Sequence, residues 1–494
     1  MKRNSVIVFL IILLSLPAWG ATLTKVRFGY YPEKIRVVLD LDQKIDYQAE
    51  TSSDKIEIIL PNSEAGLGIN SYYDVNDVVI RYIQVERKGS DLKVTIPMLE
   101  PVTSQVFSLA TPDRIIVDLG RNFTKFSQAG EIAKGIKYLE VKKGTKNGRV
   151  NAKVLQVDLE EAQVLPAMPL KAESNPISSF LDFINPFKGK AAESRAPRLA
   201  KTSDIVDQNR ALAGINGTYY SSKGTPLGAL MISKELISSP IYNRTALILS
   251  SDNKAYIDNI DIKSSFTLKS GTKVGITGVN EGRGNDSVIL YTKRWGKATG
   301  TKENGFEIIV RNNQIEKTAL GNSEIPEDGF VISIQGPMLE VIPKQINVGD
   351  EIKTSINVIP YATYPQGILH IMGGGPRLLK RGKIYVSKQH EKFRSDIARG
   401  RAARTAVGIN KKGELLLVTV DGLPKDKWKK SSPDASIGVT LEELSQFMLD
   451  LGAVEALNLD GGSSTTMVVH GRVVNEPTSG YQKSISNVLV VKEN

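Results

Sequence analysis

The sequence predicts an α+β protein in two parts, a small N-terminal β-sandwich followed by a larger mixed α+β domain. Three observations carry that expectation. Short β-branched and aliphatic runs recur through residues 21–122, separated by polar turns. Two later segments, Asp204–Leu212 and Thr440–Leu451, have the apolar spacing of helices. Each of them leads into a strand-like run that ends at a glycine-containing turn. At 494 residues the chain is too long for one ordinary core, and its 41% hydrophobic and 24% charged content is that of folded protein.

The N-terminus has a composition of its own. Lys2 and Arg3 precede an apolar run from Val6 to Leu16, followed by Pro17 and Ala18-Trp19-Gly20. That is the layout of a secretory signal peptide over residues 1–20; an uncleaved anchor is the alternative. Either way the body of the protein is expected outside the cytoplasm, in the periplasm, on the cell wall or secreted. No later stretch approaches about 18 uninterrupted apolar residues, so no transmembrane segment is expected after signal removal. Cysteine is absent, which excludes disulfides, a catalytic thiol and cysteine metal sites. The three histidines, His370, His390 and His470, lie too far apart for the usual zinc spacing. The net charge of +11 suits anionic partners such as cell-wall polymers or lipid headgroups.

The first domain, residues 21–122, is read from the strands Ile35–Leu41, Ile56–Leu60, Leu92–Ile96 and Ile115–Leu119. Nothing in it gathers carboxylates, imidazoles or glycine loops, so it reads as a binding or spacer module. A polar joint at Arg121–Lys134 leads to another strand, Val154–Leu159. Residues 166–198 hold five prolines and a short apolar patch, Phe180–Ile184, and are read as a surface excursion.

Beyond it, Gly214 is expected to end the Asp204–Leu212 helix before Ile215-Asn216-Gly217. In the second unit of this kind, Thr440 and Glu443 form a capping-box pattern. Leu441, Leu444, Met448 and Leu451 share one face, and Gly452 is the stop signal. The strand Val454–Leu459 then runs into Asp460-Gly461-Gly462-Ser463-Ser464-Thr465-Thr466. Two helix-to-strand units therefore deliver asparagines, Asn216 and Asn458, to glycine turns. Between them, Thr405–Asn410 and Glu414–Val420 flank the turn Lys411-Lys412-Gly413 as a hairpin. Counting back along both arms places Arg404 and Asp421 together at its open end. A salt bridge closing the hairpin is the structural reading of that pair.

Glycine turns after strands let backbone N–H groups face an anion. Gly461 and Gly462, followed by hydroxyls at Ser463, Ser464, Thr465 and Thr466, make a donor-rich turn, and Gly373-Gly374-Gly375 makes another. Neither has the spacing of a P-loop or dinucleotide fingerprint, and no nucleic-acid partner is expected. Asp460 and Asp421 both sit at strand ends before glycine, and two carboxylates are the usual requirement for glycosidic cleavage. An arginine beside Asp421 would keep that carboxylate ionised, or would grip a substrate phosphate.

Two resemblances add to this reading. The segments Arg36–Leu41 and Asp113–Leu119 resemble the AMIN domain, which implies binding to a cell-wall or envelope polymer through the N-terminal domain. Ile215–Tyr220, Gly373–Pro376, Arg404–Ile409, Ala456–Gly462 and Ser486-Asn487, taken in order, are similar to the phosphodiester glycosidase family. That resemblance covers roughly residues 130–494 and implies hydrolysis of a sugar-1-phosphodiester at the anomeric carbon. It makes Asp460 the first catalytic carboxylate and Asp421 the second, with Arg404 and the Gly461–Thr465 turn on the phosphate. Asn216 and Asn458 would orient sugar hydroxyls, with Gly217, Gly374, Gly375, Gly461, Gly462, Ser463, Ser464 and Thr465 lining the substrate. No cofactor is required, although Asp421, Asn458 and Asp460 form an all-oxygen set that could hold Ca²⁺. Thr218 and Ser463 stand where the family often has glycine, and Leu423 where arginine is frequent. The alternative function is a non-catalytic envelope protein binding anionic glycopolymers through the basic stretch Lys388–Arg404. A peptidoglycan amidase, a third reading, lacks the metal ligands.

Overall fold

The computed structural model describes residues 20–170, 199–395, 400–426, 432 and 434–494. The expected signal peptide, up to its last residue, and the Phe180–Ile184 patch lie outside these. The chain forms two compact units, one running to Thr124 and taking in Lys143–Arg149, the other holding Lys125–Lys142 and most of the chain from Val150 onward.

In the first unit, the alternation that marks Lys34–Leu41, Lys55–Leu60 and Asp91–Pro97 buries every second side chain. Two five-stranded sheets close on one core through these faces. One holds Thr22–Tyr30, Lys34–Leu41 and Arg114–Gly120; the other holds Lys55–Leu60, Asp91–Pro97 and Tyr82–Lys88. Ile35, Leu39, Ile58, Val94 and Val117 meet between them with no exposed surface.

The second unit corrects the expected fold class. It is mainly β, not α+β: about half of the chain is strand, and helix is a small minority. Among the described residues, the α-helices are Thr202–Gln208 and Leu441–Asp450; the second is where it was expected, whereas the first stops at Gln208 and Gly214, expected to end it, lies inside the strand Ala213–Asn216. Sequence reading passed over residues 230–360, which form strands from Leu230–Ile232 to Lys353–Pro360. Their fully buried runs, such as Thr245–Ser250 and Phe306–Arg311, lack the alternation that identifies a strand with one wet face.

What positions the site is a central sheet in which Gly148–Val157, Leu415–Val420, Arg404–Asn410, Ala453–Asn458 and Arg377–Lys380 lie side by side. Its two faces pack on different cores. Val407, Leu417 and Leu457 face a core shared with Ile215, Met467 and Leu489. Ala406, Val418 and Ala456 face the Leu441–Asp450 helix through Leu444 and Met448.

That helix begins with the capping box read from the sequence. The Thr440 hydroxyl accepts from the Glu443 N–H (3.2 Å), and the Glu443 carboxylate accepts from the Thr440 N–H (3.1 Å). Thr440→Ala is expected to cost about 1 kcal/mol in urea denaturation. An unchanged midpoint would show that core packing alone fixes the helix start.

Candidate active site

Backbone hydrogen bonds bring the ends of several strands together. The Gly217 carbonyl, just past Ala213–Asn216, accepts from the Asp460 N–H (3.2 Å). The Asn458 carbonyl accepts from the Gly375 N–H (2.7 Å), and the Gly374 N–H donates to Thr245 (2.9 Å). The Leu459 N–H donates to the Thr405 carbonyl (2.8 Å) and the Gly462 N–H to that of Ala403 (2.8 Å). Asn216, Gly217, Gly374, Gly375, Arg404 and the Asn458–Thr465 segment therefore share one end of the sheets.

Two of the glycines are there because nothing larger fits. A Cβ on Gly217 would collide with the Asn487 amide oxygen, which accepts from the Thr218 N–H (2.8 Å). Gly375 has a φ of 111°, and a Cβ there would strike Glu391 and the Phe393 ring. Gly217→Ala should destabilise the fold by about 1–3 kcal/mol, read as a lowered denaturation midpoint. A midpoint at the wild-type value would mean that Asn487 can yield without loss.

The two asparagines have different tasks. Asn216 is buried, its Nδ2 donating to the Asp460 carbonyl (2.6 Å). Its Oδ1 accepts from the Thr405 hydroxyl (2.6 Å) and the Thr466 N–H (3.1 Å). The side chain thus pins both ends of the Asp460–Thr466 turn instead of facing open space for a sugar hydroxyl. Asn458 donates to the Tyr219 hydroxyl (2.8 Å), and its own Oδ1 is buried without a hydrogen-bond partner. That acceptor is left unsatisfied by the protein.

Asp460 lies in an enclosed position, where burial raises its carboxyl above the usual carboxylate range. Hydrogen bonds from Ser464 and the Gly461 N–H (3.0 Å) and the charge of Lys483 act in the opposite sense. Tyr219, whose hydroxyl accepts from Asn458, is the next titratable group of the site. Burial raises its pKa first and Asp460 adds to the rise, while Arg404, Asn458 and Arg244 oppose it. Tyr219 also donates to the Gly375 carbonyl (2.9 Å). Arg244 lies 3.9 Å over the Phe393 ring, which packs 5.8 Å from the Tyr219 ring. Both guanidiniums are pulled below their ordinary pKa, chiefly by desolvation, yet at that basicity they stay charged.

The expected Arg404–Asp421 pair does not form. In the hairpin Arg404 stands opposite Val420, so Asp421 is one residue out of step. A one-residue offset sends side chains to opposite faces of a sheet. Arg404 goes to the helix side, where it donates to the carbonyls of Gly400 (3.1 Å) and Val439 (3.4 Å). Asp421 is buried on the other side and accepts from the Glu476 N–H (2.9 Å) and Asn475 Nδ2 (3.3 Å). Asn475 also donates to the Thr465 carbonyl (3.2 Å), so one amide links Asp421 to the hydroxyl-rich turn. The oxygens of the calcium alternative come from both faces of the sheet, Asp421 from one and Asn458 from the other. Among the described residues no group of three or more acidic or histidine side chains is placed to hold a metal.

Without an arginine beside it, Asp421 is not held ionised; burial pushes its carboxyl up to about 6. Its sign follows from linkage. A folded pKa above the unfolded one means that the native state binds the proton more tightly. That stability is fully present below the unfolded pKa near 4 and is lost as pH rises through about 6. Relative to wild type, Asp421→Asn should gain roughly 2–3 kcal/mol between pH 4 and pH 7 in paired denaturation curves. Parallel pH profiles for the two proteins would refute the buried-carboxyl assignment.

Several cations of the basic stretch Lys388–Arg404 are engaged locally. Lys388 pairs with Glu442 (2.6 Å), Arg401 pairs with Glu443, and Lys392 lies over the Tyr242 ring (4.7 Å); Arg399 lies outside the described residues. Sequence reasoning gave no role to Tyr219, Arg244, Phe393, Asn475 or Lys483. Tyr219 lies three residues after Asn216, but Arg244 stands in no glycine turn and carries no local signal.

Known proteins share parts of this chain. N-acetylglucosamine-1-phosphodiester alpha-N-acetylglucosaminidase from Bos taurus is 30% identical over 141 residues, a quarter of this chain and a quarter of its own length. The Homo sapiens protein of that name is 28% identical over the same coverage. The chain therefore spans only about a quarter of the curated relatives it matches. Among solved structures, a hypothetical protein from Synechocystis superposes with a TM-score of 0.60 at 23% identity, covering 97% of this chain and 82% of the other. A candidate exported protein from Burkholderia pseudomallei gives 0.56 at 16% identity, covering 97% and 99%. These two likenesses are of fold. No helix among the described residues is long and apolar enough to cross a membrane. Residues 297–492, which hold Gly374, Gly375, Arg404, Asp421 and the Asn458–Thr465 turn, match the family model for phosphodiester glycosidase.

Proposed function

We propose that the chain hydrolyses a sugar-1-phosphodiester at its glycosidic bond, acting outside the cytoplasm on an envelope or extracellular glycoconjugate. The observation that carries this reading is the meeting of the Gly217, Gly375 and Asp460–Thr465 turns at one end of the sheets, with the Tyr219 hydroxyl bonded to Asn458 and Gly375 and Arg244 stacked on the Phe393 ring beside it. The family match over residues 297–492 supports the reaction class.

When the bond from the anomeric carbon to oxygen breaks, the oxygen stays on phosphorus, and the phosphomonoester leaves as a weakly basic anion that needs little help from a general acid. The requirements are to steady its charge and an oxocarbenium-like sugar, and to supply a carboxylate or an activated water. Arg404 and Arg244 supply the positive charge, as planar forks suited to phosphate oxygens. The Gly461–Thr465 turn adds N–H and hydroxyl donors. Asp460, once ionised, acts at the anomeric carbon, and Asp421 supports the turn through Asn475 as the second carboxylate. Because Asp460 must lose its proton from a raised pKa, activity should climb with pH above the ordinary carboxylate range. Asn216 acts as a positioning residue that fixes the turn.

The test is to incubate the purified protein with UDP-N-acetylglucosamine and a series of synthetic sugar-1-phosphodiesters. Release of reducing sugar from at least one of them is expected; failure with the whole series defeats the reading. In the same reading the first unit holds the enzyme to an envelope polymer, so the full chain should co-sediment with isolated cell wall. A chain left wholly in the supernatant would remove that role.

A further inference from the structure

A second concave site lies in the same unit, lined by none of the residues of the Asp460 turn. It is a cleft of about 760 Å³ walled by three loops, Ser221–Thr225, Glu281–Asn285 and Trp295–Asn304. That volume is within the range of small-molecule sites. The first loop comes directly after Tyr219-Tyr220 and is closed by the bridge between Tyr220 and Pro226.

The cleft floor is fixed in advance. Glu307 is wholly buried beneath it and accepts from the hydroxyls of Thr301 (2.7 Å), Ser333 (2.8 Å) and Thr299 (3.2 Å) and from the Ser323 N–H (2.9 Å). Arg283, with its side chain buried, donates to Ser333 (2.9 Å), the Lys302 carbonyl (2.6 Å) and Asn304 (2.8 Å). Trp295 stands at the wall, its indole N–H donating to the Thr299 carbonyl (3.0 Å) and its ring resting 5.3 Å from that of Tyr291. With its one donor used within the protein, this indole offers the cleft a flat apolar face.

Glu281 is the carboxylate of the cleft with no task in the fold. It lines the cleft, is reachable from solvent, and has no hydrogen-bond or ion-pair partner among the described residues. Neighbouring protein nevertheless desolvates it enough to raise its carboxyl, with no other group contributing. Lys223 and Lys302 also line the cleft, so its wall carries charges of both signs, an acceptor and donors together. With hydroxyl side chains, open glycine backbone at Gly282, Gly284 and Gly300, and one aromatic plate beside these paired signs of charge, the lining offers many donors and acceptors and suits a polyhydroxylated ligand without net charge.

We propose that this cleft is a carbohydrate-binding site for a neutral oligosaccharide, with Glu281 accepting from sugar hydroxyls and Trp295 serving as the stacking plate. Binding here does not rest on the hydrolase reading, because none of these side chains belongs to the Asp460 site. The test is calorimetric titration of the full chain with chitotetraose, cellotetraose and maltotetraose in parallel. At least one is expected to bind with millimolar or better affinity. Glu281→Gln, which removes no contact that holds the fold, should weaken it about tenfold, and Trp295→Ala should abolish it. Sugar release from a phosphodiester should persist in Glu281→Gln, which separates this site from the first. The proposal is overturned if none of the three sugars binds, or if binding is indifferent to both substitutions.

Discussion

Asp460→Asn is expected to give a folded protein that releases sugar at least about 10³-fold more slowly, the scale of losing a catalytic carboxylate. The amide keeps the shape of the side chain and can still meet Ser464 and the Gly461 N–H, but it cannot ionise. Because burial disfavours the charged carboxylate, the variant should be at least as stable as wild type at neutral pH. Turnover by stopped assay and unfolding by circular dichroism, run on the same preparation, separate lost chemistry from lost fold. Equal hydrolysis by the two proteins would end the assignment of Asp460.

The second large effect is expected at Arg404. Its guanidinium is buried and is held by the Gly400 and Val439 carbonyls, on the same face of the sheet as Asn458. If it stabilises the departing phosphate, Arg404→Ala should lower kcat/KM by about 10²-fold. Most of that loss should fall on kcat, because the phosphate carries its full charge only as it leaves. Lysine should restore little, since a point charge cannot reproduce two parallel N–H donors. Full rescue by Arg404→Lys would mean that only local charge matters there. A loss confined to KM would mean that Arg404 merely binds the ground state.

The elements legible in the sequence were those with strong local signals. The Thr440–Glu443 capping box, the Gly413 hairpin and the alternating strands of the first unit all reappear where they were expected. Each is written within a few residues of itself. The fold class was misread because the Leu441–Asp450 helix carries clear start and stop signals, whereas the many buried strands between residues 230 and 360 lack the alternation that marks a strand. Helices were counted because they could be seen.

The site shows the same limit at finer scale. That the turns at Gly217, Gly375 and Gly461 meet could be suspected from their order, but the face on which each side chain emerges could not. Arg404 and Asp421 illustrate this: equal counting along two arms put them together, and a register one residue different put them on opposite faces. Asn216 looked like a ligand to sugar because it ended a strand beside glycine. Its contacts with Asp460, Thr405 and Thr466 span up to 250 positions of sequence and have no local signature. Arg244 and Lys483 reach the site by tertiary packing alone.

The central claim is that the bond broken lies between the anomeric carbon and oxygen, not between phosphorus and oxygen. The most direct measurement is turnover of a sugar-1-phosphodiester in water enriched in the heavy oxygen isotope, with both products analysed by mass spectrometry. Label is expected to enter the released sugar, with none in the phosphate product. Label in the phosphate would make the protein a phosphodiesterase acting at phosphorus and would contradict the roles given to Asp460 and Arg404.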